Sequence, residues 1–215
     1  MFAAVLFDCD GVLVDSEVLA TRALHRSVQQ LGMSLTLQEV DEVFTGHSWP
    51  DCLAMVEARL GRPIPDLEGF KADNRQYAQQ LMRAELAAMP GIKAVLEKLT
   101  LPYALVTNSQ VAELDVKLSV TGLDQFFPPA RRFDAETLAV AKPNPAIYQR
   151  AAQSLGLDIH KCLVVEDSLP GITAATNAGA TVWAYRPHVS AEQLLQLGVQ
   201  HSFHHWADFS PSHGN

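Results

Sequence analysis

Five short apolar runs separated by helical repeats constrain this chain more than any other feature. Ala3-Ala4-Val5-Leu6-Phe7 stops at charge and reads as a buried strand. Residues 103–106, 162–165, 180–184 and, in weaker form, 199–203 resemble it. Helical patterns lie between them. Ile92, Val95, Leu96 and Leu99 share one face, and Val111, Leu114, Leu118 and Val120 share another. Ile147, Ala151, Ala152 and Leu155 form a third, with Gly156 placed to end that helix. Strands that alternate with helices imply an α/β fold, a Rossmann-like, doubly wound parallel sheet covered on both faces.

Residues 16–88 break the alternation. They offer helical patterns over 17–31, 37–44, 50–60 and 67–86, separated by Gly32, Gly46 and Gly61-Arg62-Pro63. Met89-Pro90-Gly91 marks the return to the sheet. The expected organisation is an α/β core domain from 1–15 and 89–215, with an all-helical domain, 16–88, inserted after the first strand. A chain of 215 residues has room for one domain plus such an insertion.

Composition narrows the function classes. Hydrophobic residues are 48% and charged residues 19% of the chain, the usage of a soluble globular protein. No apolar run reaches the roughly 18–20 residues of a membrane span. The first residues lack a basic region and meet an acid at Asp8, unlike a signal peptide. Cys9, Cys52 and Cys162 form no CxxC pair, so neither a disulfide framework nor zinc is indicated, and a reduced cytoplasm is the simplest setting. The net charge of -8 argues against a nucleic-acid surface. It leaves a phosphate ligand open, because a metal and one or two placed cations make a local anion site on an acidic protein. His201, His204, His205 and His213 lie in a tail that reads as a frayed, solvated terminus rather than a metal site.

In an open α/β sheet, ligands bind beyond the carboxyl ends of the strands. The first strand delivers Asp8-Cys9-Asp10-Gly11 there. Two carboxylates one residue apart repel unless a cation or proton lies between them. On its own the motif is equally a solvated strand end with a turn. The second strand ends in Thr107-Asn108-Ser109 before a helix, where a hydroxyl and backbone N–H groups suit phosphate, or merely cap the helix. Lys142-Pro143-Asn144-Pro145 puts Lys142 on an extended or turning segment, as an ammonium for the site or as a surface lysine. Val165-Glu166-Asp167-Ser168 ends another strand in two acids, hard oxygen ligands that suit magnesium, or a cap for the helix near Leu169. Taken singly, each signal has an ordinary structural explanation. Together they supply a nucleophile, phosphate donors, a cation and a metal-binding acid at one edge of one sheet.

This ordered set resembles the haloacid dehalogenase superfamily over nearly the whole chain. The run from Asp8 to Glu17 is similar to the subfamily with a helical cap inserted after the first strand, which includes sugar-phosphate phosphatases, phosphoglycolate phosphatase and β-phosphoglucomutase. The resemblance implies a phosphatase in which Asp8 is the nucleophile and Asp10 the general acid and base. It implies Mg²⁺ held by the Asp8 side chain, the Asp10 carbonyl and Asp167, with Glu166 a ligand or close neighbour. By the same resemblance Thr107 and the Asn108 backbone would bind phosphate oxygens, and Lys142 would bridge phosphate and Asp8. The resemblance further implies a small-molecule phosphate ester as partner, such as 6-phosphogluconate, with a monomer as the subfamily's default.

Asp10 disfavours a dehalogenase or phosphonatase, whose branches lack the second aspartate. A mutase is the alternative. The mutases resemble a pattern with histidine where this chain has Ala20 and a cap arginine where it has Trp49. Both departures favour the phosphatase. A non-catalytic protein on this fold is disfavoured because Asp8, Asp10, Lys142 and Asp167 are all retained. Glu17, His47, Trp49, Lys71 and Arg75 are the candidates for substrate selection, each with plain surface or packing as its ordinary explanation.

Overall fold

Strand β1 (Ala4–Phe7) is apolar at all four positions because both its faces are covered, as a central parallel strand requires. The computed structural model describes residues 2–45, 47, 49–187 and 189–211. Gly46, read as a separator, and His213 of the tail lie outside the described residues.

β2 (Tyr103–Thr107), β3 (Arg132–Asp134), β4 (Cys162–Glu166), β5 (Thr181–Tyr185) and β6 (His201–Phe203) join β1 in one sheet. The strand order is β3-β2-β1-β4-β5-β6, and every pairing is parallel. This is the doubly wound Rossmann order, with the reversal of winding between β1 and β4. Alternate side chains serve opposite faces. Leu6, Val106, Val164 and Val182 pack with Ile147, Ala151, Ile172 and Ala175 of helices α8 (Ala146–Ser154) and α9 (Leu169–Ala178). On the other face Phe7 meets the rings of Tyr103, Phe127, Trp206 and Phe209.

Three sequence expectations change. β3 lies outside the five runs because it has three residues and one apolar side chain, too few for a period, and takes its place by pairing with β2 alone. The tail is not frayed over its described part. His201 belongs to β6 and sits 4.9 Å from the Trp183 ring, while Trp206 and Phe209 are buried. Helix α6 (Val111–Thr121) buries Leu114 and Leu118 as expected, but the rest of its inward face differs. Val111 and Val120 are 40% and 41% exposed, and Lys117 and Thr121 are buried in their place.

Residues 16–86 form a second compact unit. It holds α1 (Glu17–Gln30), α2 (Leu37–Phe44), α3 (Trp49–Leu60) and α4 (Leu67–Glu85). Leu24, Val28, Val40, Phe44, Val56 and Phe70 form its own core. Thr36 and Glu39 cap α2 reciprocally, and the Asp66 carboxylate accepts from the Gly69 amide at the start of α4. α5 (Ile92–Lys98), α7 (Ala135–Leu138) and α10 (Ala191–Gln196) complete the helices of the sheet unit among the described residues. No helix among them is long and apolar enough to cross a membrane.

Candidate active site

In a sheet wound this way ligands bind beyond the carboxyl ends of the strands where the winding reverses, here β1 and β4, and the sequence puts its acids there. Asp8 follows Phe7 directly, and its amide donates to the Val165 carbonyl at 3.0 Å. Glu166 ends β4, Asp167 comes next, and Thr107 ends β2. Lys142 arrives from the turn between α7 and α8, before a cis peptide bond to Pro143. Asp8, Thr107, Lys142, Glu166 and Asp167 are all buried.

The ordinary explanations for these residues fail on position. The cap of α9 is Ser168, which accepts from the Gly171 amide, so neither acid caps it. The first turn of α6 follows Gln110 and has no side-chain cap, so Thr107 and Ser109 do not serve it. Lys142 is not on the surface. Its ammonium donates to Asp8 Oδ1 and, at 2.6 Å, to Glu166 Oε1. The Asn108 side chain fixes Lys142 from behind, accepting from its amide at 2.9 Å and donating to its carbonyl at 3.3 Å.

Glu166 is saturated by protein donors. Oε1 accepts from Lys142 and from the Tyr148 hydroxyl at 2.8 Å. Oε2 accepts from the amides of Asp167 and Ser168 and from the Ser168 hydroxyl, at 3.1, 3.2 and 3.0 Å. Asp8, Glu166 and Asp167 each present a carboxylate oxygen, and the three lie within 4.8 Å of one another. Hard anionic oxygens at this spacing fit a divalent cation such as Mg²⁺, which Asp8 and Asp167 would ligate with the saturated Glu166 as close neighbour.

Gly11 makes room for this cluster. Its φ of +75° lies in the left-handed region, and a Cβ there would stand 1.8 Å from Asp167 Oδ2. Gly11→Ala is therefore expected to push the Asp167 carboxylate aside and, for a divalent cation held by this cluster, to weaken its affinity about 10- to 100-fold, the usual cost of disturbing a metal site's supports. A magnesium titration of activity checks it, and an unchanged midpoint would contradict this packing role.

Charge follows the geometry. Burial pushes the Asp8 carboxyl up to about 7, against the pull of Lys142 and with help from Glu166 and Asp10. Burial opposes the charged form of Lys142, but Asp8 and Glu166 outweigh it and hold the ammonium well above its usual range. Burial, then Glu166, raises the Tyr148 hydroxyl.

Asp10 pairs with a second lysine. It accepts from the Ser109 hydroxyl at 2.9 Å and from the Lys117 ammonium at 2.7 Å. The sequence patterns singled out neither Lys117 nor Tyr148. Tyr148 lies on the apolar face of α8 and Lys117 interrupts that of α6, and only the fold reveals their partners.

Within the helical unit, Glu17, His47 and Trp49 line one cleft of about 280 Å³ with Ala20, Thr21 and Asn74. Trp49 also stacks on Phe70. Arg75 is exposed on α4 and does not line the cleft, and Lys71 pairs with Glu68 at 2.9 Å.

A sequence model of the haloacid dehalogenase-like hydrolases matches residues 2–179. The chain is 30% identical to 6-phosphogluconate phosphatase of Escherichia coli, across 85% of this chain and 81% of that one. It is also 30% identical to the plasmid-borne protein CbbY of Cupriavidus necator, across 82% and 75% of the two chains. A haloacid dehalogenase family hydrolase from Deinococcus radiodurans, solved with bound phosphate and sodium, superposes with a TM-score of 0.81 at 32% identity, covering 96% of this chain and 92% of that one. The protein belongs to the haloacid dehalogenase-like hydrolase family.

Proposed function

We propose that this hydrolase is a magnesium-dependent phosphatase that passes the phosphoryl group of a small phosphate ester first to Asp8 and then to water. The phosphoric monoester class rests on the family and on the phosphatase among its relatives. The single observation that carries the mechanism is the buried Lys142 ammonium bridging Asp8 and Glu166 beside Asp167.

In the first step an Asp8 carboxylate oxygen attacks phosphorus, the bond from phosphorus to the ester oxygen breaks, and Asp10 gives its proton to the departing alcohol. In the second step a water oxygen attacks the phosphorus of the aspartyl-phosphate. The bond to Asp8 breaks, and Asp10 takes the water's proton as inorganic phosphate leaves. Thr107 and the Asn108 backbone hold phosphate oxygens. Lys142 favours the ionised form of Asp8 against the effect of burial and offsets the charge of the phosphoryl group. Asp8, Asp167 and the Asp10 carbonyl would hold Mg²⁺, which when bound supplies positive charge that screens the carboxylates from the incoming phosphate. Glu166, already saturated, stands behind as the anchor of Lys142.

A sugar phosphate or sugar-acid phosphate is the substrate class, with 6-phosphogluconate the first compound to try, after the Escherichia coli relative. Glu17, His47 and Trp49 are the residues to which selection is assigned. Ala20 and Trp49 weigh against mutase activity. Three buried free thiols fit a reducing, cytoplasmic setting.

The test is phosphate release from a panel of sugar and sugar-acid phosphates, with β-glucose 1-phosphate isomerisation assayed alongside. Release that needs Mg²⁺ and stops with EDTA is expected. Undiminished release in metal-free buffer would contradict the metal assignment, and isomerisation exceeding hydrolysis would make the protein a mutase.

A further inference from the structure

Lys117 stands outside the set of residues that the phosphatase mechanism uses, yet it is among the most deeply buried side chains of the protein. It is 2% exposed and lies in the middle of α6. A buried ammonium is costly unless its protons are taken up by partners. Here they are. Lys117 Nζ lies 2.7 Å from each Asp10 oxygen, 2.8 Å from Ser109 Oγ and 2.5 Å from Glu113 Oε1.

A plain helix-surface ion pair explains only part of this. Glu113 is the i−4 neighbour of Lys117 on α6, and that pair alone forms without burial. Instead the side chain runs inward to a carboxylate 107 residues earlier in the chain. Ser109 reinforces the direction, because its hydroxyl donates to the same Asp10 oxygen and receives from Lys117. The Asp10 side chain keeps 38% of its surface exposed. It is therefore held on one side and accessible on the other. The two aspartates of the first motif are thus fixed by separate lysines, Asp8 by Lys142 and Asp10 by Lys117.

We propose that Lys117 is a positioning residue for the proton-transfer step, gripping the Asp10 carboxylate while Glu113 keeps the ammonium paired whichever way Asp10 turns. The inference rests on the phosphatase reading above, in which Asp10 protonates the leaving alcohol and later takes a proton from water. A carboxyl group that is free to rotate spends less time in reach of either oxygen, so both transfers slow. Substrate binding, which uses Thr107, Asn108 and Lys142, is left alone.

The consequence depends on the leaving group. An alkyl alcohol departs poorly without a proton, whereas p-nitrophenolate departs unaided. Lys117→Met is expected to lower kcat on a sugar phosphate by about 100-fold, the low end of general acid–base contributions, with KM little changed. On p-nitrophenyl phosphate the same variant should release one equivalent of p-nitrophenolate per enzyme in a burst and then turn over slowly. Phosphorylation of Asp8 needs no acid with that substrate, while hydrolysis of the aspartyl-phosphate still needs Asp10.

Equal losses on both substrates without a burst, or turnover unchanged on both, would overturn the proposal. If Lys117→Met does not fold, Glu113→Gln carries the test from a partly exposed site. A kcat loss on the sugar phosphate together with a p-nitrophenolate burst of one equivalent followed by slow turnover supports the role, and an equal loss without a burst, or no loss, overturns it. Asp8→Asn, measured in parallel, separates the two levels. Turnover by that variant removes the phosphatase mechanism itself, whereas an inactive Asp8→Asn beside a normal Lys117→Met removes only the role of Lys117.

Discussion

Asp8→Asn is expected to lower phosphate release by on the order of 10⁴- to 10⁶-fold, the scale of losing a nucleophile, and also to make the metal-free protein more stable. The two effects share one cause. Asp8 is a buried carboxyl whose charge is disfavoured in the fold, with its pKa raised from 3.8 to about 7. Stability from the neutral form is fully present below about pH 4 and is lost as pH rises through about 7. A tenfold change in proton affinity corresponds to about 1.4 kcal/mol, but Lys142 loses a partner in the variant, so a net gain of about 1–3 kcal/mol near pH 8 is expected. For a chain of this size that is about 2–10 °C in Tm. Melts in EDTA at pH 5 and pH 8 check it, and the gap between variant and wild type should open as pH rises. Mg²⁺ should stabilise the wild type more at pH 8 than at pH 5 for the same reason. A gap equal at both pH values would remove Asp8 as the source of the strain, and near-normal turnover would remove it as the nucleophile.

How far the sequence speaks depends on whether a residue's partner is local. β1 is legible because four apolar residues end abruptly at Asp8, and β4 because another apolar run ends at Glu166-Asp167. Position in an α/β sheet then turns these ends into one crevice. Lys142 is legible through Pro143, which keeps it out of a helix. The partners that hold the site are not. Tyr148 occupies an apolar face of α8 and looks like core, yet its hydroxyl reaches Glu166 from 18 residues away. Lys117 interrupts the apolar pattern of α6 and so is passed over by periodicity, which instead selects the exposed Val111 and Val120. Its burial is set by Asp10, a contact that no local pattern encodes. β3 is hidden for a related reason. Arg132 and Asp134 flank one Phe, and their backbone becomes a strand because β2 offers an edge. Trp206 and Phe209 likewise look like part of a polar tail until Phe7 is placed beneath them.

Removing Lys142 tests how the site carries its own charge. Lys142→Met leaves Asp8 and Glu166 facing each other in a buried space from which their shared cation has gone. Breaking a buried ion pair by deleting one partner costs about 3–5 kcal/mol, because the remaining charge is uncompensated. Turnover should fall by about 10²- to 10³-fold, the scale for losing one placed donor of charge stabilisation. The stability loss should depend on pH in a definite direction. Without the ammonium the Asp8 carboxyl, already raised by burial, is pushed further up, so the variant is relieved at low pH, where Asp8 binds a proton, and penalised as pH rises and it must ionise. Urea melts at pH 5 and pH 8 should therefore show a gap to wild type that widens with pH. Lys142→Arg is not expected to restore turnover, since a guanidinium is broader than an ammonium and the site is walled by Tyr148, whose ring centre lies 5.3 Å from Nζ. A Lys142→Met variant that melts with the wild type at pH 8, or that keeps near-normal turnover, would show that the cation is not what holds the two carboxylates together.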